Sequence, residues 1–265
     1  MTAAASSLAH LLTRSPAHPL PCRLVIDSPS DGAWNMAIDE ALLQAAETEG
    51  VATLRFYQWR EPTLSLGYFQ SHADRKLHPA SANCVLVRRT TGGGAILHDR
   101  ELTYSIVLPL AESRRFNAEN LYRAVHSSLI EALVEFGMAA SLCASVRAPP
   151  ATEPFLCFQR RTRGDVVVKG HKIAGSAQRR RRCAILQHGS ILLAESAAAP
   201  ELSGIAELTW IRLSAAQLQS KWQPKLAAFL SLELEFAAHL PAPLLTAAAA
   251  ISRDKFAAIG WTWRR

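Results

Sequence analysis

Apolar positions along this chain fall into short runs with two different periods. Alternating or continuous apolar runs at residues 23–27, 51–59, 63–68, 84–89, 95–98 and 102–108 predict strands. Two stretches repeat with helical spacing instead. Over residues 33–47, Trp34, Ile38, Ala41, Leu42 and Ala45 share one face, and Gly50 follows as a stop. Asn117 is placed to cap a second helix whose apolar stripe carries Leu121, Val125, Leu129, Leu133 and Phe136, with Gly137 closing it. Residues 166–168, 172–177 and 184–193 predict three further short strands, and the alanine-rich stretch from 200 to 258 predicts mostly helix. Strands and helices alternate irregularly, with several strand–strand neighbours. That pattern predicts an α+β fold with a mixed, largely antiparallel sheet flanked by helices, not a doubly wound parallel order. Residues 1–20 are rich in Ala and Ser, with prolines at 16 and 19, and read as a flexible tail before a single domain at 21–265.

Composition narrows the class. The chain has 265 residues, 49% of them hydrophobic and 19% charged, the balance of a packed globular protein and not of a disordered one. No uninterrupted apolar run approaches the roughly 18 residues that a membrane span needs. Five cysteines, odd in number and never spaced CxxC, argue against a disulfide framework and against a zinc site. No basic start precedes the first apolar residues, so a reduced cytoplasmic location is expected. Lys and Arg exceed Asp and Glu by 29 to 22, and the resulting charge of +7 asks for a partner.

Four features could carry chemistry. Gly92, Gly93 and Gly94 stand between two strand-like runs, flanked by Arg88, Arg89, His98 and Asp99. Such a turn is either a tight hairpin or a place where backbone amides approach a ligand unobstructed, and the density of polar neighbours favours the ligand. In the second, Lys172 precedes Ile173, Ala174, Gly175, Ser176 and Ala177, residues small enough to leave room for something narrow beside a lysine. That lysine is either a solvated strand residue or a fixed charge with a task. Cys157, third, lies in the apolar patch Pro154–Phe158, followed by Arg160, Arg161 and Arg163; it is an inert core thiol or a nucleophile whose thiolate nearby cations stabilise. Last, nine basic residues lie between positions 160 and 182, including Arg179–Arg182. They suit an exposed hairpin tip, nucleic acid or an acidic protein; no interleaved aromatics and no nucleic-acid module accompany them. His98 and His188, beside Gly189, sit in glycine contexts, but no HExxH pattern or carboxylate pair indicates a metal.

The segments RRTTGGGAILHDRELTYS at 88–105, KGHKIAGSAQ at 169–178 and ILQHGSILL at 185–193 resemble the lipoate–protein ligase and octanoyltransferase family, whose fold is shared with biotin–protein ligases. Asp254-Lys255-Phe256 and the run from Trp261 to Arg265 resemble the family's closing motif. Within that family, LTYS after His98-Asp99, and a cysteine 15 residues before a lysine, resemble the cysteine-dependent transferases, while Gly94 follows the ligase pattern where transferases usually carry arginine. The resemblance implies Cys157 and Lys172 as catalytic residues, with Arg89, Gly92, Gly93, Gly94, His98, Ile173, Gly175, Ser176, Ala177, His188 and Gly189 binding substrate and no metal. It implies transfer of octanoate from octanoyl–acyl carrier protein, through a Cys157 thioester, to the lysine of apo-lipoyl domains such as glycine-cleavage H protein or the E2 subunits of 2-oxoacid dehydrogenases. Backbone amides around 175–177 would hold the oxyanion. Neither ATP nor magnesium is then needed, nucleic acid and membrane are not partners, and a monomer is expected. Three alternatives stay open: an ATP-dependent lipoate ligase, an amidotransferase moving octanoyl between lipoyl domains, and a non-catalytic basic binding protein.

Overall fold

The computed structural model describes residues 18–110, 117–144 and 154–265. In chain order the elements are β1 (Leu20–Ile26), α1 (Gly32–Glu49), β2 (Ala52–Tyr57), β3 (Thr63–Leu66), β4 (Val85–Arg88), β5 (Ile96–His98) and β6 (Glu101–Pro109). They continue with α2 (Ala118–Glu135), β7 (Ala140–Leu142), β8 (Val166–Val168), β9 (His171–Arg180) and β10 (Ala184–Leu192). The last are α3 (Ile205–Thr209), α4 (Ala215–Leu230), β11 (Leu232–Phe236), α5 (Ala242–Ile251) and α6 (Ile259–Thr262). Eight strands form one sheet in the order β11-β1-β2-β6-β10-β9-β8-β7, and β4-β3-β5 form a second. Only β11–β1, β1–β2 and β3–β4 pair in parallel, so the fold is the mixed, largely antiparallel α+β arrangement that the patterning predicts.

Both long helices obey their local chemistry. Asp31 Oδ1 accepts from Trp34 N–H at 2.8 Å to start α1, and Gly50 ends it in the left-handed region at φ 72°. Asn117 does the same for α2, accepting from Asn120 N–H at 2.7 Å. The stripe of α2 packs with α4 on one face of the large sheet, where Leu121, Val125, Leu129 and Leu133 meet Phe56, Tyr104 and Trp222. On the other face α1 and α5 cover Val25, Tyr57, Val107 and Leu186.

Several expectations need correction. β4 and β5 both pair with β3 and not with each other, so Gly92–Gly94 crosses the small sheet and is not a hairpin turn. Leu20 already belongs to β1, which shortens the tail at its inner end; residues 1–17 of that tail lie outside the described residues. The stretch from 200 to 258 contains β11, parallel to β1, and β7 joins the opposite edge. β7 is only three residues long and shows no period, whereas β11, LELEF, alternates apolar with charged residues and carried a strand signal that the alanine-rich helical reading of 200–258 passed over.

Candidate active site

A cavity of about 440 Å³ opens between the α1 face of the large sheet and the small sheet. Its floor is set by register. Tyr57, Thr103, Ser190 and Gly175 are direct partners across β2, β6, β10 and β9, and beside them run Ser105, His188 and Ala177. Three inter-strand steps make this trough roughly 14 Å long. Met36 and Trp59 close the β2 end, and the Trp59 indole stacks on the His98 ring at 3.9 Å. Cys157, Phe158, Thr162 and Lys172 stand at the β9 end.

The floor is rich in hydroxyls, yet their hydrogen-bonding capacity is spent below it. Thr103 and Ser190 donate to Glu101 Oε1, and so does His98 Nδ1, at 2.7 Å. Burial lowers the His98 pKa despite Glu101, and the neutral ring accepts from Ser65 at Nε2. On the other side Asp39 accepts from Arg55, Ser105, Tyr57 and His188 Nδ1. Burial alone would raise the Asp39 pKa, but His188 and Arg55 hold it below the usual carboxylate range. His188 Nε2 reaches Thr91 Oγ1 at 2.8 Å and so ties the glycine segment to the sheet. What such a floor offers the cavity is methyl groups, methylenes and ring faces, which suit an aliphatic chain.

At the open end the loop carrying Cys157 is clamped to Ala95: Cys157 N–H donates to Ala95 O at 2.7 Å and Ala95 N–H to Phe155 O at 2.9 Å. That clamp explains Gly94, because a Cβ there would stand 3.0 Å from Phe155 O and 2.7 Å from Arg160 Nη2. Cys157 Sγ lies 4.0 Å from Lys172 Nζ. Lys172 is buried and pairs at 2.9 Å with Asp165 Oδ2, which is fully buried. Asp165 is itself fixed by Thr162, through N–H at 2.7 Å and Oγ1 at 3.0 Å, and by Tyr122 Oη at 2.7 Å. Arg89 lies on the other side of Cys157; burial pulls its pKa down to about 10, opposed by Cys157 and aided by Arg160, so it keeps its charge at neutral pH. It holds the glycine segment through Gly92 O and Gly94 O, and Ser65 O through Nη1.

Lys172 reaches the cavity because β9 carries a bulge. Val166 pairs with Ala174 but Val167 with Lys172, so Ile173 is extra. The bulge turns Ile173 and Ala174 together into the α2-side core and returns Lys172 to the face of Gly175. Ile173 therefore does not line the cavity, against the expectation that it binds substrate. Gly175 is required here, since a Cβ on it would lie 2.7 Å from Lys172 Nζ and 3.3 Å from Asp165 Oδ1. Gly175→Ala is expected to displace the ammonium from its buried pair with Asp165, lowering activity by about 10²-fold and the melting temperature with it, as read by steady-state rates beside thermal unfolding.

The amides proposed to hold an oxyanion are mostly occupied. Ser176 N–H points off the ladder toward Tyr122 Oη at 3.4 Å, so strand alternation turns those of Gly175 and Ala177 toward β10. The Ser176 hydroxyl is committed as well. His126 Nδ1 must donate to Gly164 O at 2.6 Å, so Nε2 accepts from Ser176 Oγ at 2.7 Å, which accepts in turn from Tyr104 Oη. Burial lowers the His126 pKa to about 4, so the folded chain keeps this ring neutral where an unfolded one takes up a proton. Stability is expected to fall as pH drops from roughly 6.5 toward 4, by on the order of 3 kcal/mol. His126→Gln should flatten that slope in urea unfolding measured across the window.

Sequence reasoning placed Cys157, Lys172, Arg89, Gly92, Gly93, His98, Gly175, Ser176, Ala177, His188 and Gly189 together, and the cavity gathers all of them. Gly94 supports the wall without lining it. Asp165, Tyr122 and Thr162 were missed, as were Met36, Tyr57, Trp59 and Thr103 at the far end; a GD pair before the β8 run was the one local hint of Asp165. The arginine run is not a free tip, since Arg181 pairs with Glu40 and Glu47 and Arg179 donates to Thr90 O. Among the described residues no group of three or more His, Cys, Asp or Glu is placed to hold a metal ion, and no helix is long and apolar enough to cross a membrane.

Comparison with known proteins gives the family and the fold. The lipoyl protein ligase A/B catalytic domain matches residues 31–206. Octanoyltransferase LipM of Oceanobacillus iheyensis is 42% identical over 177 residues, 63% of this chain and 62% of that relative, so the match spans less than two thirds of the relative's length. Among solved structures, one from a structural analysis of the bipartite lipoate protein ligase and its E2 lipoyl domain from Thermoplasma acidophilum superposes with a TM-score of 0.73 at 19% identity over 92% of this chain and 96% of that one. Lipoate–protein ligase A bound with ATP gives 0.71 at 19% identity, over 92% and 99%. These structural likenesses concern the fold.

Proposed function

The chain belongs to the lipoyl protein ligase A/B catalytic domain family, and from that premise we propose that it is an octanoyltransferase. It would take octanoate from octanoyl–acyl carrier protein and pass it to the target lysine of an apo-lipoyl domain, of a glycine-cleavage H protein or a dehydrogenase E2 subunit. The observation that carries the reading is the Cys157 Sγ to Lys172 Nζ approach of 4.0 Å at the open end of an aliphatic trough. Relatives named octanoyltransferase support it.

Cys157 attacks the thioester carbonyl as a thiolate, whose charge the Lys172 ammonium and the Arg89 guanidinium offset. The bond to the carrier sulfur breaks, the carrier thiolate leaves and takes a proton, and the octanoyl group rests on Sγ with its chain in the trough. The neutral amine of the acceptor lysine then attacks the same carbonyl. The bond to Sγ breaks, the amide forms, and the surplus amine proton neutralises the departing sulfur. The incoming thioester is already activated, so neither ATP nor a metal has a step to supply.

Intact mass tests this. Incubation with octanoyl–acyl carrier protein, without ATP, should add one octanoyl group to the chain, which an apo-lipoyl domain then removes. Acceptor modification from free octanoate and ATP, with none from the carrier thioester, would make the chain a ligase instead.

A further inference from the structure

Beside the mouth of the trough stands a set of aromatic and arginine side chains that the transfer chemistry does not use. Phe69 is 69% exposed and Trp263 57%. The Arg264 guanidinium lies 4.1 Å from the Tyr68 ring and 4.7 Å from Trp261, and that of Arg265 lies 5.4 Å from Phe69. Among the described residues no carboxylate pairs with either arginine. Arg179, held by Thr90 O, adds a third guanidinium to the field at Tyr68.

This rim is rigid. Trp261 Nε1 donates to Arg88 O at 2.8 Å, and buried Arg88 donates to Thr262 O at 2.8 and 3.0 Å. His72 N–H donates to Arg265 O, and the His72 ring stacks on Trp263 at 4.3 Å. It also adjoins the nucleophile. A Cβ built on exposed Gly93 lies 3.9 Å from Cys157 Sγ, and one on the neighbouring Gly92 lies 3.9 Å from the Phe69 ring. A continuous strip therefore runs from Sγ over the two glycines to Phe69 and the arginines.

Resting on the transferase reading, we infer that this rim, Tyr68, Phe69 and Trp263 with Arg179, Arg264 and Arg265, docks the acyl donor: an acidic protein presenting its thioester on a long phosphorylated arm. Unpaired cations match an acidic surface and an arm phosphate, and exposed rings match the apolar remainder of a contact. The strip favours the donor over the acceptor. A lysine side chain is too short to cross it, so an acceptor domain must sit over Sγ itself, whereas a long arm laid across the glycines leaves its carrier at the rim.

The test compares donors. The Arg264→Glu/Arg265→Glu double variant and Phe69→Ala are assayed with octanoyl–acyl carrier protein and with octanoyl-N-acetylcysteamine, which has the thioester but no carrier. A loss of at least about tenfold in kcat/KM with the carrier donor, weaker salt dependence in the double variant, and unchanged rates with the small thioester would support the rim. Equal losses with both donors, a rise confined to the acceptor KM, or unchanged carrier kinetics would overturn it. Failure of the wild-type chain to accept either thioester would instead remove the transferase reading, and this proposal with it.

Discussion

Cys157→Ala should abolish the octanoyl adduct and lower transfer from carrier to lipoyl domain by at least about 10⁴-fold, because the covalent route loses its only nucleophile. No other thiol can take its place. Cys22 is buried, and burial pushes its pKa up to about 12, while Cys84, Cys143 and Cys183 do not line the cavity. Folding should be nearly unaffected, since Cys157 is partly exposed and its loop is held by backbone bonds to Ala95 that alanine keeps. Cys157→Ser keeps an oxygen nucleophile that is far less ionised than a thiol, so it should be almost as slow and could accumulate a stable ester detectable by mass. Intact mass and single-turnover transfer decide the matter. A Cys157→Ala variant that transfers at the wild-type rate would mean that the acyl group passes directly from donor to amine.

Much of this fold was legible because its signals are local. Asn117 caps the helix it was expected to cap, and Gly50 adopts the positive φ that its place after the helix suggested. The chemistry-bearing segments could be read for the same reason: glycines, a lysine and a cysteine stand out against their neighbours. What stayed hidden depends on register or on contacts distant in the chain. The direction of Lys172 is set by a bulge, which an alternating pattern cannot reveal, and the same bulge withdrew Ile173 from the cavity. The far end of the trough draws Met36 from a helix, Tyr57 from the end of β2 and Trp59 from just beyond it, residues that read as ordinary core. Asp39 looked like one carboxylate among many, yet it collects Arg55, Tyr57, Ser105 and His188 below the floor.

Asp165 is where that hidden information should have its second large effect. Both it and Lys172 are buried, at 0% and 7% exposure, and among the described residues it is the carboxylate that compensates the ammonium, at 2.9 Å. Asp165→Ala leaves that cation without compensation, a change that costs about 3–5 kcal/mol where a buried pair is broken. The lysine can escape the cost by shedding its proton or swinging away, and either response removes the positive charge facing Sγ. Asp165→Asn separates charge from shape: its one amide oxygen, set at the Oδ2 position, still accepts from Thr162, its NH2 group meets Tyr122 Oη at the other, and the charge is gone. We expect Asp165→Asn to lower kcat by about 10²-fold or more with a much smaller change in KM, since the carboxylate acts on the nucleophile's charge and not on the aliphatic chain. Alkylation of Cys157 by iodoacetamide should slow in parallel, and Asp165→Glu should recover part of both. A merely structural role would lower melting temperature and leave the alkylation rate of the folded protein unchanged. That outcome would confine Asp165 to holding the 162–165 turn and leave Lys172 to act without it.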